Sequence, residues 1–318
     1  MSDKIYIIGH QSPDLDSVVA AVSYANLKNL TQNARKNHEG TEKVEYVPAI
    51  AGKVNQVTEY ILKKFGFDAP DILNDADGKN LVLVDHNESS QMVDGGDKAT
   101  IVEILDHHKL NFSYSEPIEI KVRPWGSTTS IIYWLYQEND LKIDKNLAGL
   151  MLSAVLDDTV ITKSPTCTDF DKKFIKELAN LASIKDWKNY GLEMFKIKSS
   201  VKDLSAEEII KLDFKDFQFK AGKFGIGQVE TVDLSEFDSR EDELKAELDK
   251  IRQAGNYHSV VLFITDIIKE GSKVLASTSD QGKVEAALGS KLKNGKAYIK
   301  GIISRKKQVI PKFTEVFD

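Results

Sequence analysis

Residues 7–16 read Ile7-Ile8-Gly9-His10-Gln11-Ser12-Pro13-Asp14-Leu15-Asp16, and the parsing of this stretch decides the fold. Ile5 to Ile8 is an apolar run with the length of a buried strand. Gly9 stops it, and His10, Asp14 and Asp16 follow in one short loop. Asp16-Ser17 then offers an N-cap to the apolar-periodic segment from Val18 to Leu30. Three ligand-capable side chains therefore stand between the end of a strand and the start of a helix, where an open α/β sheet places its ligands. Imidazole mixed with carboxylate suits a divalent transition metal. Ca²⁺ takes all-oxygen shells, and structural zinc favours thiolates. Alone, the loop is equally a capped helix behind a polar turn.

The stretches that follow repeat the pattern. Val44 to Ala51 is a second strand, followed by a helix from about Asn55 to Phe65 and a turn at Pro70 and Asn74 to Gly78. Leu81 to Val84 is a third strand, ending at Asp85-His86-Asn87-Glu88. Ile101 to Leu105 is a fourth, ending at Asp106-His107-His108, and Ile118 to Val122 is a fifth. Continuous apolar strands alternating with helices predict a doubly wound parallel sheet. The polar clusters fall at the ends of strands one, three and four, where one site collects them.

Pro124 to Thr129 forms a turn and a helix start leading into Ser130 to Leu135, a place that binds phosphate or merely caps. Leu147 to Leu156 is an apolar helix closed by Asp157-Asp158-Thr159, two carboxylates that are costly to bury with nothing to bind; Lys163-Ser164-Pro165-Thr166 follows. The helix from Phe170 to Leu181 reads as structural, and residues 183–202 are mixed. The expected division is a metal-binding domain over 1–190, a connector over 191–203 and a second domain over 204–318. In the second domain Ser205 to Leu212 is a helix opened by a capping box, Ser205 with Glu208. Strands follow at Asp213 to Lys220, Lys223 to Val229, Val260 to Thr265 and Lys273 to Ser277, with helices at Asp238 to Gln253 and Gly282 to Leu288. These make a smaller α/β domain with a mixed or antiparallel sheet. Ser304-Arg305-Lys306-Lys307-Gln308 is either a solvated charge run or a phosphate clamp, in which the arginine fork binds phosphoryl oxygens in pairs.

The composition is consistent with this. A length of 318 residues suggests about two domains, and 41% hydrophobic residues are enough for two cores. A formal net charge of -6 disfavours nucleic acid as a partner and leaves room for a small anion in a local cationic pocket. A single cysteine, Cys167, excludes a disulfide framework and a thiolate cluster, and it reads as an ordinary residue on a polar loop. Neither a signal peptide nor an apolar run approaching the roughly 20 residues of a membrane span is visible, so a cytoplasmic protein without membrane contact is expected. Four of the six histidines, His10, His86, His107 and His108, lie inside the acidic clusters, which metal ligation explains better than four separate accidents. Such a set suits two divalent ions with Asp85 bridging and a water between them. That chemistry fits an in-line phosphoryl transfer.

Asp106-His107-His108 resembles the signature of the DHH phosphoesterase superfamily, and His10-x-x-x-Asp14-x-Asp16, Asp85-His86-Asn87-Glu88 and Asp158-Thr159 occupy that family's other motif positions. Within it the chain resembles the family II, manganese-dependent inorganic pyrophosphatases. The pointers are Asp85 to Glu88, Gly126-Ser127-Thr128, Lys163 to Thr166 and, most specific, Ser304 to Gln308. The resemblance spans nearly the whole chain. It implies a DHH domain followed by a DHHA2-like domain, in a cytosolic homodimer joined through the N-terminal domains. The active site would lie between two domains that close on pyrophosphate. His10, Asp14, Asp16, Asp85, His107 and Asp158 would ligate two Mn²⁺ or Co²⁺ ions, with Mg²⁺ accompanying the substrate. His108 would help the substrate or leaving group, and Lys215, Arg305 and Lys306 would grip the phosphates.

Four positions depart from the family pattern. Ser12 and Leu15 stand where Asn and Thr are usual, Asp157 where Ser is common, and Trp125 where a smaller apolar residue is found. No long insertion for regulatory nucleotide-binding modules separates the halves. The competing readings are another DHH phosphoesterase, acting on polyphosphate, nucleotides or single-stranded DNA, and a catalytically idle metal-binding scaffold.

Overall fold

Strand β1 (Lys4–Ile8) is exposed at its start and fully buried at Ile7 and Ile8, so its C-terminal end lies deepest in the protein. The computed structural model describes residues 4–35 and 44–318; the side chains of residues 33–35 and of Lys306 lie outside the described set. Two compact units divide the chain between Met194 and Phe195.

In the first unit β1 is followed by α1 (Leu15–Arg35), β2 (Glu45–Ile50), α2 (Gln56–Lys64), β3 (Asp71–Ile72), β4 (Asn80–Val84), β5 (Thr100–Asp106), β6 (Glu119–Val122), α3 (Thr128–Glu138), α4 (Lys145–Asp158), α5 (Asp169–Leu181) and the start of α6 (Trp187–Lys198), which runs across the division. The strands form one parallel sheet in the order β3-β2-β1-β4-β5-β6, as the continuous apolar runs predict. The chain moves outward from β1 to β3 and then returns to β4, so the winding reverses between β1 and β4 and opens a crevice at their C-terminal ends. Register aligns those ends. Ile8 pairs with Leu83, Val84 pairs with Leu105, and the Asp85 amide donates to the Leu105 carbonyl at 3.0 Å. Residues leaving β1, β4 and β5 therefore emerge side by side. Helix α1 packs on α3 and α4. Leu147 to Asp157 of α4 are all buried, which is why that segment is apolar on every side.

The second unit contains α7 (Ala206–Lys211), β7 (Phe214–Phe219), β8 (Gly222–Thr231), α8 (Glu241–Ala254), β9 (Ser259–Asp266), β10 (Gly271–Thr278), α9 (Gln281–Leu288), β11 (Lys296–Lys300) and α10 (Ile310–Phe317). Its sheet runs β11-β10-β9-β8-β7 and is mixed: β8 and β9 are parallel, and the other pairs are antiparallel. Helix α8 supplies the crossover a parallel pair requires. Strand β9 is buried along its whole length between two cores. One is built around Phe224, Phe263, Phe313 and Phe317, the other around Ile209, Phe237, Leu244 and Leu262.

Several elements differ from the expectations. The turn at Pro70 runs into β3, a two-residue strand that is exposed at both positions and so carries no apolar signal. Part of the expected connector, residues 191–198, is the end of α6. The edge strand β11 and helix α10, which has a proline in its first turn, complete the second unit. Among the described residues no helix is long and apolar enough to cross a membrane.

Candidate metal centre

Gly9 ends β1 where α1 begins to cross above it, and a Cβ there would run into the Ser17 hydroxyl. The chain passes that point only without a side chain. It then turns through Ser12, with a left-handed φ of 58°, and reaches α1 with the Ser17 amide donating to Asp14 at 2.9 Å. Asp85, the first residue after β4, is also left-handed, with φ 62°. Aspartate tolerates that region better than most residues, and the turn brings its carboxylate back over the ends of β1 and β5. Beyond α4, Val160, Ile161 and Thr162 are left-handed in succession, an unfavourable run for β-branched residues that begins two residues after Asp158.

These turns gather the six expected ligands into two groups, His10 with Asp14 and Asp85, and Asp16 with Asp85, His107 and Asp158, and a third group joins Asp85 and His107 to His108; within each group the candidate ligand atoms lie within 4.8 Å of one another. Asp85 belongs to all three. Its two oxygens are divided between the first two: Oδ2 is 3.6 Å from His10 Nε2, and Oδ1 is 3.4 Å from His107 Nε2. His10 Nε2 is also 3.5 Å from Asp14, and His107 Nε2 is 3.5 Å from Asp158. Each ring is fixed from behind by a backbone carbonyl on Nδ1, that of Gln11 at 2.8 Å for His10 and that of Trp125 at 3.0 Å for His107. Both histidines therefore present Nε2 to the carboxylates, the tautomer a metal ligand needs.

Asp16 is fully buried and is held by the start of α3. The Ser127 hydroxyl donates to it at 2.7 Å, and the Thr128 and Thr129 amides donate at 2.7 and 3.1 Å. The anion at this helix N-terminus is thus a carboxylate of the protein itself. The Thr128 hydroxyl donates to Asp85 at 3.0 Å. Asp106 joins none of the groups. It is buried and accepts the amides of His107 and His108, the Asn87 side chain and His108 Nδ1, so it anchors the loop and orients His108. His86 also stands apart, buried with Nδ1 on the Val84 carbonyl at 2.9 Å.

The electrostatics show a shortage of positive charge. Burial opposes protonation of His10 and His107, yet hydrogen bonds to Asp14 and Asp85 hold His10 up to about 11, and Asp85 holds His107 up to about 9. Burial also works against ionisation of Asp85, but His10 and His107 hold its carboxyl well below the usual range. Asp16 is pushed up to about 6 by burial and by the charge on Asp85, and Asp158 is raised well above its ordinary value by burial and by Asp16 and Asp85. Crowded buried carboxylates that resist ionisation, facing imidazoles with Nε2 turned inward, are the donor set for divalent cations. The residues fit divalent cations, and Asp85 lies within reach of both groups of expected ligands.

A cleft of about 620 Å³ opens over this centre, and His108, Trp125, Thr166 and Cys167 line it together with Asp14, Asp85, His107 and Asp158. Cys167, expected to be an ordinary loop residue, is thus part of the cleft wall. In the second unit Lys215 is exposed on β7 and makes no ion pair among the described residues. Arg305 is buried. Its guanidinium donates to both Asp213 carboxylate oxygens at 2.7 and 2.9 Å, to the Asp213 carbonyl, and to the Ile226 carbonyl at 3.0 Å. Only Nε–H has no partner among the described residues. The Lys306 side chain lies outside the described set. Sequence reasoning missed Asp171, whose carboxylate reaches the Gly126 amide at 2.9 Å, because its place in a Thr168-x-x-Asp171 capping box already explains it.

Comparison with known proteins agrees with this architecture. Residues 4–155 match the DHH family, N-terminal domain, and residues 192–316 match the DHHA2 domain. A manganese-dependent inorganic pyrophosphatase of Methanothrix thermoacetophila is 42% identical, the match covering 100% of this chain and 99% of the relative. One from Bacillus subtilis is 39% identical, covering 98% of each. A solved structure from Methanococcus jannaschii, assigned to the family II inorganic pyrophosphatases, is 37% identical with a TM-score of 0.64, covering 98% of this chain and 99% of that one. With a DHH domain, a DHHA2 domain and end-to-end relatives at this identity, the chain belongs to the family II, manganese-dependent inorganic pyrophosphatases of the DHH superfamily.

Proposed function

We propose that this chain hydrolyses inorganic pyrophosphate to two orthophosphates at a centre of two divalent ions, Mn²⁺ or Co²⁺, with Mg²⁺ accompanying the substrate. The observation that carries the reading is the pair of donor groups joined through Asp85. The relatives named manganese-dependent inorganic pyrophosphatase support the metal and the substrate. His10, Asp14 and Asp85 would hold one ion; Asp16, Asp85, His107 and Asp158 would hold the other. When bound, such a pair acidifies a water and neutralises the charge of an in-line phosphoryl transfer.

The protein's own groups do the rest. The α3 N-terminus fixes Asp16, and the backbone carbonyls fix the two imidazoles. His108 stands half exposed over the cleft with Nδ1 on Asp106, whose hydrogen bond raises its pKa. It is proposed to offer the proton at Nε2 to a phosphate oxygen. Lys215, Arg305 through Nε–H, and Lys306 are proposed to hold the phosphates. Two copies are proposed to pair through the first unit, where β6 is an open sheet edge with Ile120 exposed.

The test is phosphate release from pyrophosphate by Mn²⁺-loaded protein, run beside tripolyphosphate, a nucleoside 3′,5′-bisphosphate and a dinucleotide. Selective release from pyrophosphate, lost on chelation, is expected. Asp85→Asn should lose more than about a hundredfold in rate, beyond what loss of an outer ligand partner costs, while staying folded. Turnover of an organic ester with pyrophosphate untouched would move the chain to another DHH activity. A fully active Asp85→Asn would end the shared-ligand mechanism.

A further inference from the structure

We propose that Asp171 is a positioning residue for one half of the metal centre, acting on His107 through the Trp125–Gly126 peptide group and on Asp16 through the turn that follows it. The inference rests on the dinuclear reading above.

Asp171 is the third residue of α5 and is fully buried. Its Oδ2 accepts the Thr168 amide at 2.7 Å and the Thr168 hydroxyl at 2.6 Å, which belong to the capping box. The same oxygen accepts the Gly126 amide at 2.9 Å, from a segment 45 residues away that is no part of the cap. Its Oδ1 is buried with no hydrogen-bond partner among the described residues. Capping alone does not call for this, since an exposed Asp or Glu would cap α5 equally well. Burying a carboxylate with one oxygen unpaired is costly.

The Gly126 amide and the Trp125 carbonyl are the two ends of one peptide group. That carbonyl accepts from His107 Nδ1 at 3.0 Å. A carboxylate on the N–H end draws the amide toward its dipolar form and makes the carbonyl a stronger acceptor, a cooperative gain of roughly 10–30% per bond. The imidazole is then held in one orientation, and Nε2 gains electron density for a metal. A second arm runs forward along the chain. Gly126 leads into Ser127, Thr128 and Thr129, which hold Asp16. A Cβ at Gly126 would lie 2.6 Å from the Thr159 methyl and 2.9 Å from Asp171, so the turn has one seat. Helix α5 also holds Trp125 from the side, through Phe170 stacked at 4.7 Å and Phe174 at 5.7 Å.

His107 and Asp16 both belong to the group of Asp16, Asp85, His107 and Asp158, and neither belongs to the group of His10, Asp14 and Asp85. The influence of Asp171 therefore falls chiefly on one of two ions, and it reaches the shared Asp85 only through the Thr128 hydroxyl. The experiment is a calorimetric Mn²⁺ titration of the chelator-stripped full chain, with free Mn²⁺ followed by paramagnetic resonance. Wild type is expected to bind in two steps. Asp171→Asn should weaken one step by about 10- to 100-fold, the range for losing an outer partner of a ligand, and leave the other within about twofold. Asp171→Glu keeps the charge and a side chain suited to the capping box but moves the carboxylate one methylene; it should give the same selective loss even where the Asn variant does not fold. Leu178→Ala, a core truncation in the same helix, lowers stability and should leave both steps in place. Two wild-type steps in a folded Asp171 variant would overturn the inference, as would the same selective shift in Leu178→Ala. A wild type that binds fewer than two ions would overturn the dinuclear reading itself.

Discussion

Glu103 shows how a buried charge can be held entirely by the protein's own groups. It lies on β5, almost fully buried. The Lys28 and Lys121 ammonium groups reach its carboxylate at 2.8 and 2.7 Å, and the Tyr24 hydroxyl donates to it as well. Burial works against its ionisation, but Lys28, Lys121 and Tyr24 outweigh burial and lower its pKa below the ordinary 4.5. A carboxylate with a depressed folded pKa contributes stability that is present above the unfolded value and is lost as pH falls through the folded one. Glu103→Gln leaves Lys28 without its partner and should cost on the order of 3 kcal/mol at pH 7. The gap between the two proteins should narrow as pH falls below about 4.5. Urea melts of both proteins from pH 7 to pH 3 check this, and a gap that widens on acidification would reverse the assignment. The clustering of the proposed metal ligands was legible in sequence because their loops follow apolar runs that end at a strand or helix terminus. Glu103 and Asp171 were not. One sits inside a strand, the other inside a capping box, and only tertiary contacts reveal what they hold.

At the scale of elements, the Arg305–Asp213 pair acts as a brace. It ties the turn over residues 305–309 to the start of β7 and, through the Ile226 carbonyl, to β8. The planar fork suits this. Two nitrogens serve four acceptor contacts at fixed angles, which a lysine ammonium cannot reproduce. Arg305→Lys should therefore destabilise the second unit by about 2 kcal/mol, below the range for a fully buried pair because Asp213 is half exposed. It should also weaken pyrophosphate binding while Mn²⁺ affinity stays at the wild-type value. Thermal melts and paired Mn²⁺ and substrate titrations check this. A loss of Mn²⁺ affinity, or an unchanged melt, would show that the brace has been misassigned. Long elements were readable in sequence because burial imposes periodicity on them. Strand β3 has two exposed residues, and β11 sets partly buried Ala297 and Ile299 among Lys296, exposed Tyr298 and Lys300 at an open edge. Helix α6 begins inside a lysine-rich stretch whose apolar positions do not stand out. In each case tertiary pairing overrides a weak local signal.

The whole molecule is two compact units, and every proposed metal ligand lies in the first. That unit has its own core around Ile8, Leu81, Leu83, Ile101 and Ile104, whereas the second is built on the two cores that sandwich β9. A ligand that binds only the folded state stabilises what it binds by RT ln(1 + [L]/Kd), about 2.7 kcal/mol at a hundred times Kd. Mn²⁺ at that concentration should therefore slow the most protected amides of the first unit, such as those of Leu83 and Ile104, by up to about a hundredfold. Amides in β9 of the second unit should exchange at the same rate with and without metal. Hydrogen exchange on the full chain, chelated against Mn²⁺-loaded, reads both at once. Equal slowing in β9 would mean that the units open as one cooperative body and that metal occupancy in the first is felt throughout the second. Slowing confined to the loops at residues 9–16, 85–88 and 106–108 would mean that the centre orders its own turns without adding to the stability of the sheet beneath them.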